Sequence, residues 1–178
     1  MKHISILSLA FLLIITAGTN CKKNNVESGL PPATQEGKNT CGFLVNGKVW
    51  LPRGDNGYPN LSCSYDETLM GGAFNINGYR YESDLRSTFA VLGRDIVGTG
   101  IYKLNMNFDR STYFSIDPTN STYCVYEWYD TIPNHNAFLT ITKLDKVNRI
   151  VAGTFEFAHL KQGCHEVRIT KGRFDMKF

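Results

Sequence analysis

The chain has no apolar stretch long enough to cross a bilayer as a helix: its longest greasy run covers residues 4–15, against the roughly 20 residues that a spanning helix needs. A surplus of one charge is missing too. With 19 basic and 16 acidic residues the net charge is +3, which leaves no basic stripe for nucleic acid and no acidic tail. No heptad, no internal repeat and no three-turn helical pattern can be found, so bundles, coiled coils and solenoids are excluded. The recognisable catalytic signatures are missing as well: there is no G-x-S-x-G elbow, no H-E-x-x-H, no Walker loop and no Rossmann fingerprint. Acidic residues fall singly along turns and histidines number only 4, so neither a carboxylate pair nor a His-centred site is indicated.

What is present begins with targeting. Lys2 and His3 precede the short apolar run, and Thr16, Ala17, Gly18 and Thr19 follow it, the order of a secretory signal peptide. Cys21 comes immediately after, in "LLIITAGTNCKKNN", and this resembles a bacterial lipobox, in which the cysteine is acylated and becomes the first residue of the mature chain. Asn20 departs from the Gly, Ala or Ser usual before that cysteine, and an ordinary cut near Thr19 is the alternative. Two or three acyl chains on Cys21 would anchor the protein stably without any spanning helix. In the "KKNNVE" that follows, lysines stand directly after the cysteine where acidic residues are usual for export to the surface, which predicts the periplasmic face of the outer membrane.

The expected organisation is a signal peptide at 1–20, a flexible tether at 21–40 and one β domain at 41–178. The tether, rich in Pro, Gly and polar residues, carries too little apolar surface to offset its ordering entropy. From Cys41 onward short runs of Val, Ile, Thr, Tyr and Phe are broken by Gly, Asn, Asp or Pro, an all-β rhythm. Asn46-Gly47 marks a type I′ hairpin that pairs Phe43 with Trp50 and Leu44 with Val49. The pattern places Val151, Gly153, Phe155 and Phe157 on one face of a later strand. Val167 and Ile169 point inward before Gly172, and Phe174, Met176 and Phe178 after it. Further strands are expected near 59–65, 71–80, 86–93, 101–108, 112–117 and 122–129. Many strands joined by short turns make a single antiparallel β-sandwich or a partly closed β-barrel.

The segments "LPPATQEGKNTCGFLVNGKVW" at 30–50, "NLSCSYDETLMGGAFNI" at 60–76 and "LTITKLDKVNRIVAGTFEFAHLKQGCHEVRITKGRFD" at 139–175 resemble a family of small Bacteroidota lipoproteins of unknown function. The resemblance implies a secreted, lipid-anchored β domain and brings no catalytic residue. Cys41 stands where that family usually has an aromatic.

Four cysteines remain in the domain, Cys41, Cys63, Cys124 and Cys164, and in an oxidising compartment they allow up to two disulfides in three connectivities. None of them forms a C-x₂-C or C-x₄-C pair, so no metal is expected. Cys124 and Cys164 both fall near strand ends, where two backbones can approach to bonding distance, and are expected to pair. In "YCVYEWYD" the side chains of Tyr123, Tyr126, Trp128 and Tyr129 suit a sugar- or peptide-binding face, and equally suit strand packing. "DTI" at 130–132 resembles a short O-glycosylation acceptor, which would put a glycan on Thr131. "RGD" at 53–55 sits in a Gly- and Asn-rich turn. With no cofactor indicated, the expectation is a non-catalytic binding or accessory module with a glycan, peptide or protein partner. A structural partner of an outer-membrane complex is the alternative, and an enzyme the remaining one.

Overall fold

The computed structural model describes residues 29–119 and 121–178, and Cys21 with the segment expected to be its signal peptide lies outside them. Eleven strands follow one another: β1 (Thr40–Val45), β2 (Lys48–Trp50), β3 (Leu61–Asp66), β4 (Ala73–Tyr81), β5 (Leu85–Gly93), β6 (Gly100–Lys103), β7 (Ser111–Pro118), β8 (Cys124–Tyr126), β9 (Phe138–Asp145), β10 (Ile150–His159) and β11 (Val167–Lys177). They form two antiparallel sheets, β2-β1-β11-β10-β9-β6 and β3-β4-β5-β7-β8. The sheets stay separate, so of the two expected architectures the sandwich is the one present.

The first hairpin follows its turn chemistry. Asn46 and Gly47 have φ of 48° and 82°, as a type I′ turn demands, and Phe43 faces Trp50 across the ladder with ring centroids 4.5 Å apart. Both rings pack on Phe89 of the opposite sheet, at 4.9 and 5.1 Å. Phe155, Phe157, Phe174 and Phe114 continue this apolar layer. Gly153 is required by close approach, because a Cβ there would collide with the Thr140 carbonyl oxygen and press on the Phe174 ring.

The sheets cross rather than align. Tyr65 on edge strand β3 meets Phe178 just beyond β11, whereas the Tyr126 hydroxyl on the other edge, β8, donates to the carbonyl of His165 just before β11. One strand of the first sheet thus runs from edge to edge of the second.

The inward set of β11 changes phase, from odd at Val167 and Ile169 to even at Phe174 and Met176, and a β-bulge absorbs the change. Lys171 takes φ 54°, Thr170 and Lys171 oppose Glu156, and the Lys171 amide donates to the Glu156 carboxylate at 3.1 Å. Arg173 and Asp175 consequently face outward on the far side of the sheet from the core.

Three expectations need correction. Residues 29–39, assigned to the flexible tether, lie as a strap across the outer face of the first sheet. Leu30 is buried there, and Asp175 accepts hydrogen bonds from the Thr34 hydroxyl (2.6 Å) and the amides of Glu36 (3.0 Å) and Gly37 (2.6 Å). Low apolar content understated this segment because its attachment is mainly polar. The strand expected at 101–108 stops at Lys103. Asn105 (φ 55°) turns the chain, and its side-chain oxygen accepts from the Thr112 amide and hydroxyl. The strand expected at 122–129 shrinks to three residues, because Asp130 accepts the Glu127 amide and closes a turn.

Candidate ligand groove on the outer sheet face

The strap covers only part of the outer face. Beside it a groove of about 670 Å³ lies open over β6, β9, β10 and β11. Ladder register arranges its floor in two rows. Ile101 pairs with Thr140, Thr140 with Thr154, and Thr154 with Arg173; beside them Lys103 pairs with Phe138 and Phe138 with Glu156, which faces the Lys171 bulge. All alternate with buried inward neighbours such as Leu139, Ile141 and Phe155. Three inter-strand steps of about 4.8 Å make each row roughly 14 Å long. Ala33 of the strap forms the near wall.

The chemistry of this floor is mixed. Ile101, 72% exposed, and Phe138, 38% exposed, are apolar side chains left bare to solvent. Thr140 and Thr154 stand between them and Arg173. Arg173 is half-buried, and among the described residues its one hydrogen-bond partner is the Pro31 carbonyl, 3.5 Å from one guanidinium nitrogen. Among the described residues no carboxylate comes within ion-pair distance of it. Its neighbour Asp175, on the same face, is committed to the strap. Asp175 is buried, which pushes its pKa up, but the hydrogen bonds from Thr34, Glu36, Gly37 and Lys38 outweigh that and hold it below the usual carboxylate range.

A second cavity, about 260 Å³, opens at the mouth of the sandwich between Val45, Trp50, Leu85, Phe114 and Ile116. The Trp50 indole donates to Ser87 there at 2.8 Å, and Arg80 at the rim is already bound by Glu82 at 2.9 Å. Its lining offers one further cation, Lys48, and no carboxylate.

The aromatic residues singled out from the sequence do not form one face, and none of them lines the groove. Tyr126 is a core residue, 1% exposed, beside His159 with ring centroids 6.1 Å apart. Tyr123 and Tyr129 are exposed, and Trp128 packs edge-on against Tyr129 in the turn after β8. Of the two readings open for Tyr126, strand packing is the one its place supports: β8 alternates, and its inward position takes the ring into the core. Thr131 is exposed, in the loop that pairs briefly with His159. Cys124 and Cys164 are joined, with Cα atoms 6.0 Å apart, tying β8 to the loop before β11. Cys41 is buried and Cys63 half-buried, both as free thiols; burial raises both, Cys63 to about 12, so neither is a nucleophile at neutral pH. Arg53 of the RGD triplet is held by Glu82 at 2.9 Å, and its backbone pairs with Arg80. Cys21 lies outside the described residues.

His159 is buried as well. Its ring contacts the Thr112 hydroxyl at 3.0 Å and the Asp130 carbonyl at 3.1 Å, and burial lowers its pKa to about 4. Among the described residues no group of three His, Cys, Asp or Glu side chains could hold a metal ion.

Compared with protein families, with curated proteins and with solved structures, the chain matches none. Function is therefore read from the surface itself. The groove residues escape sequence reasoning because Thr, Lys, Glu and Arg at outward strand positions look like any solvated face. An exposed Ile101 alternating with polar neighbours was the one available signal.

Proposed function

We propose that the protein is a lipid-anchored, non-catalytic binding module of the bacterial cell envelope, and that the groove on its outer sheet face is the ligand surface. The anchoring rests on the lipobox-like context of Cys21 and on the resemblance to the small Bacteroidota lipoproteins. Lys22 and Lys23 favour retention on the periplasmic leaflet of the outer membrane, and Thr131 is accessible for the O-glycan that its motif invites. At roughly 3.5 Å per residue the chain between Cys21 and Gly29 spans no more than about 28 Å, so an acylated Cys21 keeps the domain close to the bilayer.

The observation that carries the binding reading is the pair of uncovered side-chain rows, with apolar, hydroxyl and charged groups side by side on a rigid floor. Rigid elements with a few placed polar groups on apolar ground are what a recognition surface needs. The experiment is an NMR titration of the soluble chain starting at Lys22 with neutral and charged oligosaccharides and with peptides. Shifts concentrated at Ile101, Thr140, Thr154 and Arg173 are expected. Shifts confined to other surfaces would refute the assignment.

A second reading, an accessory subunit of an outer-membrane complex, draws on a different observation. The loops around Leu69 and Met70, Val97, and Met106 and Phe108 leave all five side chains exposed, and the Asp95 and Ile96 amides bind the first loop through Met70 and Gly72. Stable co-purification through that end, abolished by Phe108→Ser, would favour it.

A further inference from the structure

We infer that the groove takes an acidic oligosaccharide, whose carboxylate is bound by Arg173 while its ring faces rest on Phe138 and Ile101. The inference rests on the binding reading above and adds the ligand's chemistry.

The acid follows from charge. Arg173 is a half-buried guanidinium lining the groove, with no carboxylate within ion-pair distance of it among the described residues, because Asp175 on the same face is engaged by the strap. The other arginines that are partly withdrawn from solvent have one: Arg80 is bound to Glu82, Arg94 to Asp109 and Arg110 to Asp95. A guanidinium fork matches a carboxylate with two parallel hydrogen bonds, and partial burial strengthens them.

The sugar follows from what the floor lacks. The backbone of β9 and β10 is consumed in ladders on both sides, so an extended peptide laid across the floor finds no main-chain partner there. Side-chain hydroxyls, in contrast, are offered in the middle of the first row by Thr140 and Thr154, where they can exchange hydrogen bonds with ring hydroxyls. Phe138 presents apolar area at the level a sugar's C–H face would occupy. An acyl chain is a poor fit, because Ile101 and Phe138 are the only large apolar side chains exposed among the lining residues.

The test is calorimetric titration of the soluble chain with a galacturonate tetrasaccharide, the neutral galactose tetrasaccharide and a tetraglutamate peptide. The galacturonate is expected to bind most tightly. Arg173→Gln should weaken it at least about tenfold, the size of one lost charge-assisted contact, while Arg173→Lys should retain part of the affinity. Glu156→Gln should tighten it, because a like charge is removed. Each variant is checked for an unchanged melting temperature, and Arg173→Lys serves if Arg173→Gln does not fold. Equal binding of the galactose and galacturonate probes, with shifts still in the groove, overturns the acid inference and leaves the binding reading standing. Preference for tetraglutamate overturns the sugar. Galacturonate binding unaffected by Arg173→Gln overturns the role of Arg173, and binding mapped outside the groove overturns both proposals.

Discussion

Replacing Asp175 with alanine is expected to release the strap. Asp175 is 1% exposed, and its carboxylate accepts hydrogen bonds from the Thr34 hydroxyl and the Glu36 and Gly37 amides. A bond to a buried charge nets roughly 1.5–3 kcal/mol, so three of them give an upper bound well above what a surface segment can contribute. The cost is capped by local opening: once the strap peels away, its donors find water, and what is lost is the latch together with the burial of Leu30, about 2 kcal/mol. With the latch reduced to a net contribution of about 1 kcal/mol beside Leu30, the total is about 3 kcal/mol, or a melting temperature lower by roughly 6–12 °C for a domain of this size. Because the folded pKa is depressed, the latch is fully present above the ordinary carboxylate value of about 3.9 and is lost as pH falls through the lower folded value. At pH 7 hydrogen exchange should therefore show the amides of Glu36 and Gly37 protected in the wild-type chain and open in Asp175→Ala. If those amides stay protected in the variant, or the melting temperature moves by less than about 2 °C, the strap is held by something other than Asp175.

Removing the Cys124–Cys164 bridge should cost about 4 kcal/mol on the chain-entropy account for a separation of 40 residues, read as a lower denaturant midpoint for the Cys124→Ser, Cys164→Ser double variant; an unchanged midpoint contradicts it. His159 gives a pH signature in a separate window. Its folded pKa of about 4 lies below the free value of 6.5, so the unfolded chain binds the extra proton and stability falls between pH 6.5 and 4, by roughly 3 kcal/mol in all. Urea unfolding at several pH values should show that slope, and His159→Gln should flatten it; the same slope in the variant would show that another group is responsible.

Much of the fold was legible because it rests on local rules. Asn46-Gly47 dictates its turn, and the inward aromatics of β10 follow from a period of two. Pairings between distant strands, β1 with β11 and β6 with β9, were not legible, since nothing in either segment names its partner. The β11 bulge shows as a phase change between Ile169 and Phe174, but only the observed register tells which outward residues it brings into one row. The groove depends on that register and on the strap. Thr140, Thr154 and Arg173 come from three separate segments, and become a site only once the ladders align them and residues 29–39 leave them bare. Tyr126 shows the reverse: the composition of its run left ligand face and strand packing equally open, and only its inward place on β8 takes that ring into the core while Tyr123, Trp128 and Tyr129 lie outside the strand.

The most direct measurement places a photoactivatable side chain at Thr154, on the groove floor, or at Tyr129, in the aromatic turn, in the full-length chain in living cells. Irradiation should produce a discrete mass increase on the chain labelled at position 154 and none at 129. Cross-linking from 129 alone would contradict the claim that the outer face of the first sheet is where this protein binds.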